Sequence, residues 1–181
     1  MNKKGWAILG VLAALAAAPA AAQDTPHWYL GGSAGSATAK HHCDNTTACD
    51  ETDGAFKLFG GYQFNRNVAV EIGYADLGTF VADATDTDIR ALDAVAQFTA
   101  PLSQRFALIG RIGAYRSHVE ASGATNAGAH NTSFTWGLGI AFSFSRSFEL
   151  RGEWQHYPDI GGGGAGTHDI DFLSLGLVLR L

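Results

Sequence analysis

Eight ionisable residues, Lys57, Glu71, Asp93, Arg111, Glu149, Arg151, Glu153 and Arg180, stand in segments that otherwise alternate small and apolar side chains. Four are positive and four negative. Brought together, they would form a salt-bridge network, and an exchange of partners inside a narrow passage would gate a thin ion path. Seven histidines offer metal or pH-sensitive chemistry. His27 comes early, whereas His41, His42, His118, His130, His156 and His168 fall in or beside polar stretches that also hold Asp44, Asp50, Asp53, Asp159 and Asp169. His41 and His42 precede Cys43, but the spacing matches no zinc pattern, so no metal ligand set is assigned. Ser117-His118-Val119-Glu120 has the residue types of a nucleophile with its base. On a strand, however, neighbours point to opposite faces, and the two cannot pair. His130-Asn131-Thr132 puts a threonine where a serine is needed. No catalytic residues and no cofactor are therefore assigned, and no enzyme is expected. Gly161 to Gly164 lack the Lys-Ser/Thr and the helix of a phosphate loop, and read as a polar connection.

The elements that must position these residues are strands. No segment after the N-terminus sustains a 3.6-residue period, while stretches of about ten residues alternate with period two. In 132–144, Phe134, Trp136, Leu138, Ile140, Phe142 and Phe144 share one face, and Thr135, Gly137, Gly139, Ala141 and Ser143 the other. In 148–157, Phe148, Leu150 and Trp154 oppose Glu149, Arg151, Glu153 and Gln155. Strands are expected near 27–37, 55–64, 68–77, 89–101, 106–118, 132–144, 148–157 and 169–181. Tight turns separate some of them at 65–67, 103–105 and 145–147, and long polar loops at 38–54, 78–88, 119–131 and 158–168 separate the others. The expected fold is all-β: an eight-stranded antiparallel up-and-down barrel.

Which face meets solvent decides the class. Eight strands leave an interior just wide enough for side chains to fill. Gly, Ser and a few paired charges suit that space; a face of large aromatics and aliphatics does not. The apolar face must point outward, and an outward apolar band needs lipid. The sequence thus describes a transmembrane barrel with the eight charges inside.

Residues 1–22 read as a cleaved export signal of Sec type: Lys3 and Lys4, an apolar run from Trp6 to Ala18, and small residues before Gln23. Residues 23–181 are the barrel domain. The full chain carries 12 Lys+Arg against 17 Asp+Glu, a formal charge of −5, and the signal takes only positive charge with it. Beyond the first four residues there is no basic cluster, so nucleic acid is not an expected partner. In an oxidising compartment Cys43 and Cys49 read as a disulfide across a short loop, where it contributes roughly 2–2.5 kcal/mol.

From 55 to 79 the residues Gly60, Gly61, Tyr62, Gln63, Asn65, Val68, Glu71, Gly73, Tyr74, Leu77 and Gly78 resemble the second and third strands of the OmpA family's transmembrane domain. Leu173-Ser174-Leu175-Gly176 followed by Arg180 resembles that family's last strand, and Pro101, Arg111 with Gly113, and Arg151-x-Glu153-x-Gln155 fall where the family has similar residues. The resemblance implies an integral protein of the Gram-negative outer membrane, with short turns in the periplasm and long loops outside. It implies lipid, lipopolysaccharide and the barrel-insertion machinery as partners, surface or host ligands through the loops, and a monomer. Glu71 and Arg151 match residues of the family's gating ion pairs. Where the family carries a second Lys–Glu pair, this chain has Gln97 and Ala141, and Leu181 stands where the family's last strand usually ends in Phe. The chain ends at the eighth strand, so a barrel without a following peptidoglycan-binding domain is expected. The expected role is structural or surface interaction, with a narrow gated channel as the alternative and a lipid A-modifying enzyme behind both. Processing after Ala22 predicts that mass spectrometry of the exported protein finds Gln23 at its N-terminus; an intact leader would contradict it.

Overall fold

The computed structural model describes residues 26–40, 49–50, 52–82, 85–123, 127–161 and 167–181. Its strands are β1 (His27–Lys40), β2 (Cys49–Asp50), β3 (Thr52–Asn65), β4 (Val68–Ala82), β5 (Thr85–Pro101), β6 (Phe106–Gly123), β7 (Ala127–Ser143), β8 (Phe148–Gly161) and β9 (Thr167–Arg180). Each long strand pairs antiparallel with its neighbours in sequence. Closure comes from β1, which pairs with β9 from Tyr29–Arg180 to Lys40–Asp169. The eight long strands therefore form a closed ring, and β2 adds two residues to the far end of β4. Closure leaves no unpaired edge, which is the condition for strands to cross a bilayer.

The strands exceed their expected lengths at one end only. On the side of the tight turns the expected boundaries hold to within about two residues. On the other side the regions expected as long loops are largely strand: β4 runs to Ala82, β6 to Gly123 and β8 to Gly161. Polar composition ended the expected strands, because these stretches are rich in Gly, Asp, Thr and Asn and large residues no longer alternate along them. A hairpin ladder needs no apolar face to continue, since its two arms satisfy each other's backbone groups.

Inside and outside follow the expected alternation. Leu58, Ile72, Leu138 and Leu173 are about 60% exposed on the outer face, with Leu30, Leu92, Ile112 and Leu175 beside them. Rings mark both borders of this band. Trp28, Tyr62 and Phe64 contact one another near the turns, and Trp136, Trp154 and His156 do so toward the loops. Amphipathic rings at two levels of a barrel mark the two membrane interfaces.

The lumen is fuller of apolar side chains than the sequence suggested. Tyr29 and Phe59 point inward near the turn end with Ala69 and Val178. Toward the loops Leu77, Ile89, Tyr115, Val119, Tyr157, Ile160, Ile170 and Phe172 pack together with several alanines. Inward glycines make the room. A Cβ at Gly61 would lie 2.2 Å from the Tyr29 ring, so glycine is required where that ring lies flat against β3. Gly78 has φ +88° at the register shift between Asp76 and Thr79. Its bulge turns the Thr79 N–H toward Asp53, which accepts it at 2.7 Å. Gly61→Val should destabilise the barrel by about 1–3 kcal/mol through overpacking against Tyr29. Urea titration of the vesicle-inserted protein measures it, and an unchanged midpoint would contradict this packing.

Candidate functional site

All eight sequence-selected charges point into the lumen, where Lys57, Glu71, Asp93, Arg111, Glu149, Arg151 and Glu153 are buried and Arg180 reaches the turn-side mouth. β8 is the spine. Its inward residues, from turn to loop, are Glu149, Arg151, Glu153, Gln155 and Tyr157. Residues i and i+2 on a strand lie about 7 Å apart, so alternating signs along one strand attract each other.

The facing strands complete a chain of alternating charge. Arg111 on β6 bonds Glu153 at 2.9 Å and also contacts Glu71 of β4. Glu71 lies 3.2 Å from Arg151, whose Nε donates to Glu149 at 2.7 Å. Glu149 in turn contacts Arg180. Six charges thus run Glu153–Arg111–Glu71–Arg151–Glu149–Arg180, each with an opposite charge beside it. Neutral groups take up further donors and acceptors: Tyr29 donates to Glu71 at 3.1 Å, and Gln97 accepts from Arg151 at 3.0 Å. The Arg151 guanidinium also lies 5.1 Å from the Tyr29 ring centre, a cation–π distance.

Lys57 and Asp93 form a separate group on the loop side of this chain. Lys57 Nζ donates to Asp93 at 2.5 Å and to Gln155 at 3.0 Å. Asp93 also accepts from Tyr157 at 2.8 Å and from Gln155 at 3.2 Å, while Gln155 is held by Thr135 at 3.1 Å. Sequence reasoning missed Tyr29, Thr135 and Tyr157 as partners. The signal was present, because each keeps the inward parity of its strand, but aromatic rings were assigned to lipid as a class.

Gln97 and Ala141, which the resemblance sets at the positions of the OmpA family's second ion pair, are buried in the lumen. Gln97 serves as an acceptor for Arg151. On the turn side a cavity of about 820 Å3 is lined by Gln97, Arg151, Glu149 and Arg180, with Arg66, Arg105 and Arg146 contributed by the turns.

The remaining candidates scatter. Ser117 is buried on the inner face while His118 lies on the outer, so the two do not pair. His27 lines the turn-side cavity, His156 meets Asp171 at 2.6 Å on the outer face, and His118 meets His130. His41, His42 and Cys43 lie outside the described residues, as does the side chain of Cys49, so the disulfide and the histidine pair beside it have no structural account. Among the described residues there is no group of three His, Cys, Asp or Glu able to hold a metal.

A closed antiparallel ring with an apolar exterior and paired charges within is the arrangement of small outer-membrane barrels, and the family model described as outer membrane protein beta-barrel domain matches residues 7–180. The chain belongs to that family. Outer membrane protein A of Klebsiella aerogenes is 26% identical over 99% of this chain, and the chain spans 55% of that relative. Neisserial surface protein A superposes at TM-score 0.64 with 16% identity, covering 87% of this chain and 100% of that one. Ail, the attachment invasion locus protein of Yersinia pestis, superposes at 0.57 with 16% identity over 86% and 97% of the two chains. Ail has also been solved in complex with the heparin analogue sucrose octasulfate. The protein is an outer-membrane barrel of OmpA-like type.

Glu71→Ala should destabilise the barrel by about 3–5 kcal/mol, because it leaves two buried guanidiniums short of their shared carboxylate. The midpoint of urea unfolding in vesicles measures it; a loss below about 1 kcal/mol would show that water replaces the carboxylate.

Proposed function

We propose that this barrel is a non-conducting outer-membrane anchor that works through its loop-side rim. The observation that carries the proposal is the apolar cluster of Leu77, Ile89, Val119, Ile160, Ile170 and Phe172, which fills the lumen between the charge chain and the loops. An ion leaving the charges toward the outside meets the buried methyl and aromatic groups of this cluster, among which scattered polar groups such as Ser117 are too few to replace its water. The charges then serve packing, and the turn-side cavity is a blind vestibule.

The rim suggests the chemistry of a partner. By sequence, residues 38–54, 78–88, 119–131 and 158–168 hold nine acidic residues and one basic, Lys40. Ail has been solved with a sulfated polyanion. This chain's loops carry the same sign of charge as that ligand, and instead suit a basic patch on a surface partner, whose approach they would accelerate at low salt.

Planar-bilayer recordings of the refolded protein, with a gel-mobility shift on boiling as proof of folding, test the proposal. The wild type and Glu71→Ala should both be silent. Discrete openings in the wild type that change in Glu71→Ala would replace the anchor with a gated channel.

A further inference from the structure

We propose that His118 and His130 form a two-imidazole site for a divalent transition-metal ion on the outer face of the barrel, above the apolar band. The two residues sit directly opposite each other in the β6–β7 ladder. Both rings face outward, on the same face as Ile112 and Phe134 nearer the membrane. Their Nδ1 atoms are 3.1 Å apart, their ring centres 4.4 Å apart, and their planes inclined by 32°.

Those three values place two imidazole donors within reach of a single ion. An in-line N–H···N bond between imidazoles would hold the ring centres well beyond the nitrogen separation, one ring on each side of the bond. Here the ring centres are closer than an in-line bond allows, so the two Nδ1 atoms are bent out of line, and rotation about the side-chain torsions would bring both lone pairs onto one ion. An ion at the usual metal–imidazole distance of about 2.0–2.1 Å from each would subtend an angle of about 100°, which suits tetrahedral and square geometries alike. The backbone is already fixed, since β6 is paired on both sides at this level, to β5 through Arg90 and to β7 through His130. Binding therefore needs no folding step, only rotamer adjustment.

The donor set selects the ion. Two imidazoles favour Zn2+, Ni2+ and above all Cu2+ over Mg2+ or Ca2+, which prefer oxygen. Two protein ligands leave at least two positions for water or for a donor from another molecule. Arg90, which lies 3.8 Å from Asp76, and Arg116 on the same face oppose a further positive charge. That repulsion and the short donor list place the affinity in the micromolar range rather than tighter. The bound ion would clasp β6 to β7 beyond the membrane. This inference is independent of whether the lumen conducts and of which partner the loops take.

Calorimetric titration of the full refolded protein with Zn2+, and with Ca2+ as the contrasting ion, tests it. The wild type should take up Zn2+ with micromolar affinity and leave Ca2+ unbound. His118→Gln and His130→Gln should each weaken Zn2+ binding at least tenfold, while His27→Gln, at the opposite mouth, should not. Loaded with Cu2+, the wild type should show hyperfine coupling to two nitrogens in its electron paramagnetic resonance spectrum, and either variant should lose it. Absence of Zn2+ binding, equal binding of Ca2+, or Zn2+ affinity that survives both substitutions in folded protein would overturn the site.

Discussion

One carboxylate, Glu71, stands between two buried guanidiniums, Arg111 and Arg151. Neither arginine can be hydrated inside an eight-stranded barrel as it would be in water, and the bilayer outside offers no alternative. The charge must be matched within the lumen, and the match has to come from several strands at once: β4 supplies Glu71, β6 Arg111, and β8 Glu149, Arg151 and Glu153. A shift of one residue in any of these ladders would turn its charges toward lipid. The charge chain therefore selects register around the ring while it fills space. Pairing of this kind adds less net stability than an apolar filling of equal volume, and its clearer effect is to penalise the wrong arrangement.

The lumen is layered along its axis. Arginine-lined space opens at the turn end, the alternating charges follow, then the Lys57–Asp93 group with Gln155 and Tyr157, and last the apolar cluster beneath the loop-side hairpins. Tyr157 joins two layers: its hydroxyl donates to Asp93 while its ring meets Tyr115 edge-on at 5.2 Å. The polar layers hold sequence-distant strands together, and the apolar layer separates them from the outside. On the function proposed above, that order makes the fold an anchor first. Whatever specificity the protein has is then left to side chains on the outer face and rim, where polar ladders carry residues such as His118 and His130 past the membrane.

Much of this was legible in the sequence because lipid imposes a strict code. Period-two alternation with large residues on one parity can mean only one thing in a ring this narrow, so Leu58, Ile72 and Leu173 on the outside and Lys57, Glu71 and Arg151 on the inside followed directly. Inward aromatics were not legible. Tyr29 and Phe59 obey the inward parity, but their fit depends on Gly61 and Gly31 across the ladder, and a single strand does not reveal its neighbour's register. The length of the loop-side strands was hidden for a different reason. Past the expected ends the sequence is rich in small and polar residues, period-two alternation no longer marks the strand, and only the hydrogen-bonded partner shows that the ladder continues. The His118–His130 pair belongs to that region: twelve residues apart in sequence, the two meet only because the β6–β7 ladder runs on past the membrane.

The central claim is that Glu71 and Arg111 act as one unit within the lumen. A double-mutant cycle of Glu71→Gln and Arg111→Met, read by urea unfolding in vesicles, measures their coupling directly. The arrangement described predicts a coupling of about 1.5–3 kcal/mol, with the double variant more stable than the two single losses would sum to. Additivity within about 0.5 kcal/mol would contradict it, and the charges would then be independent, water-satisfied groups in a lumen more open than the one described.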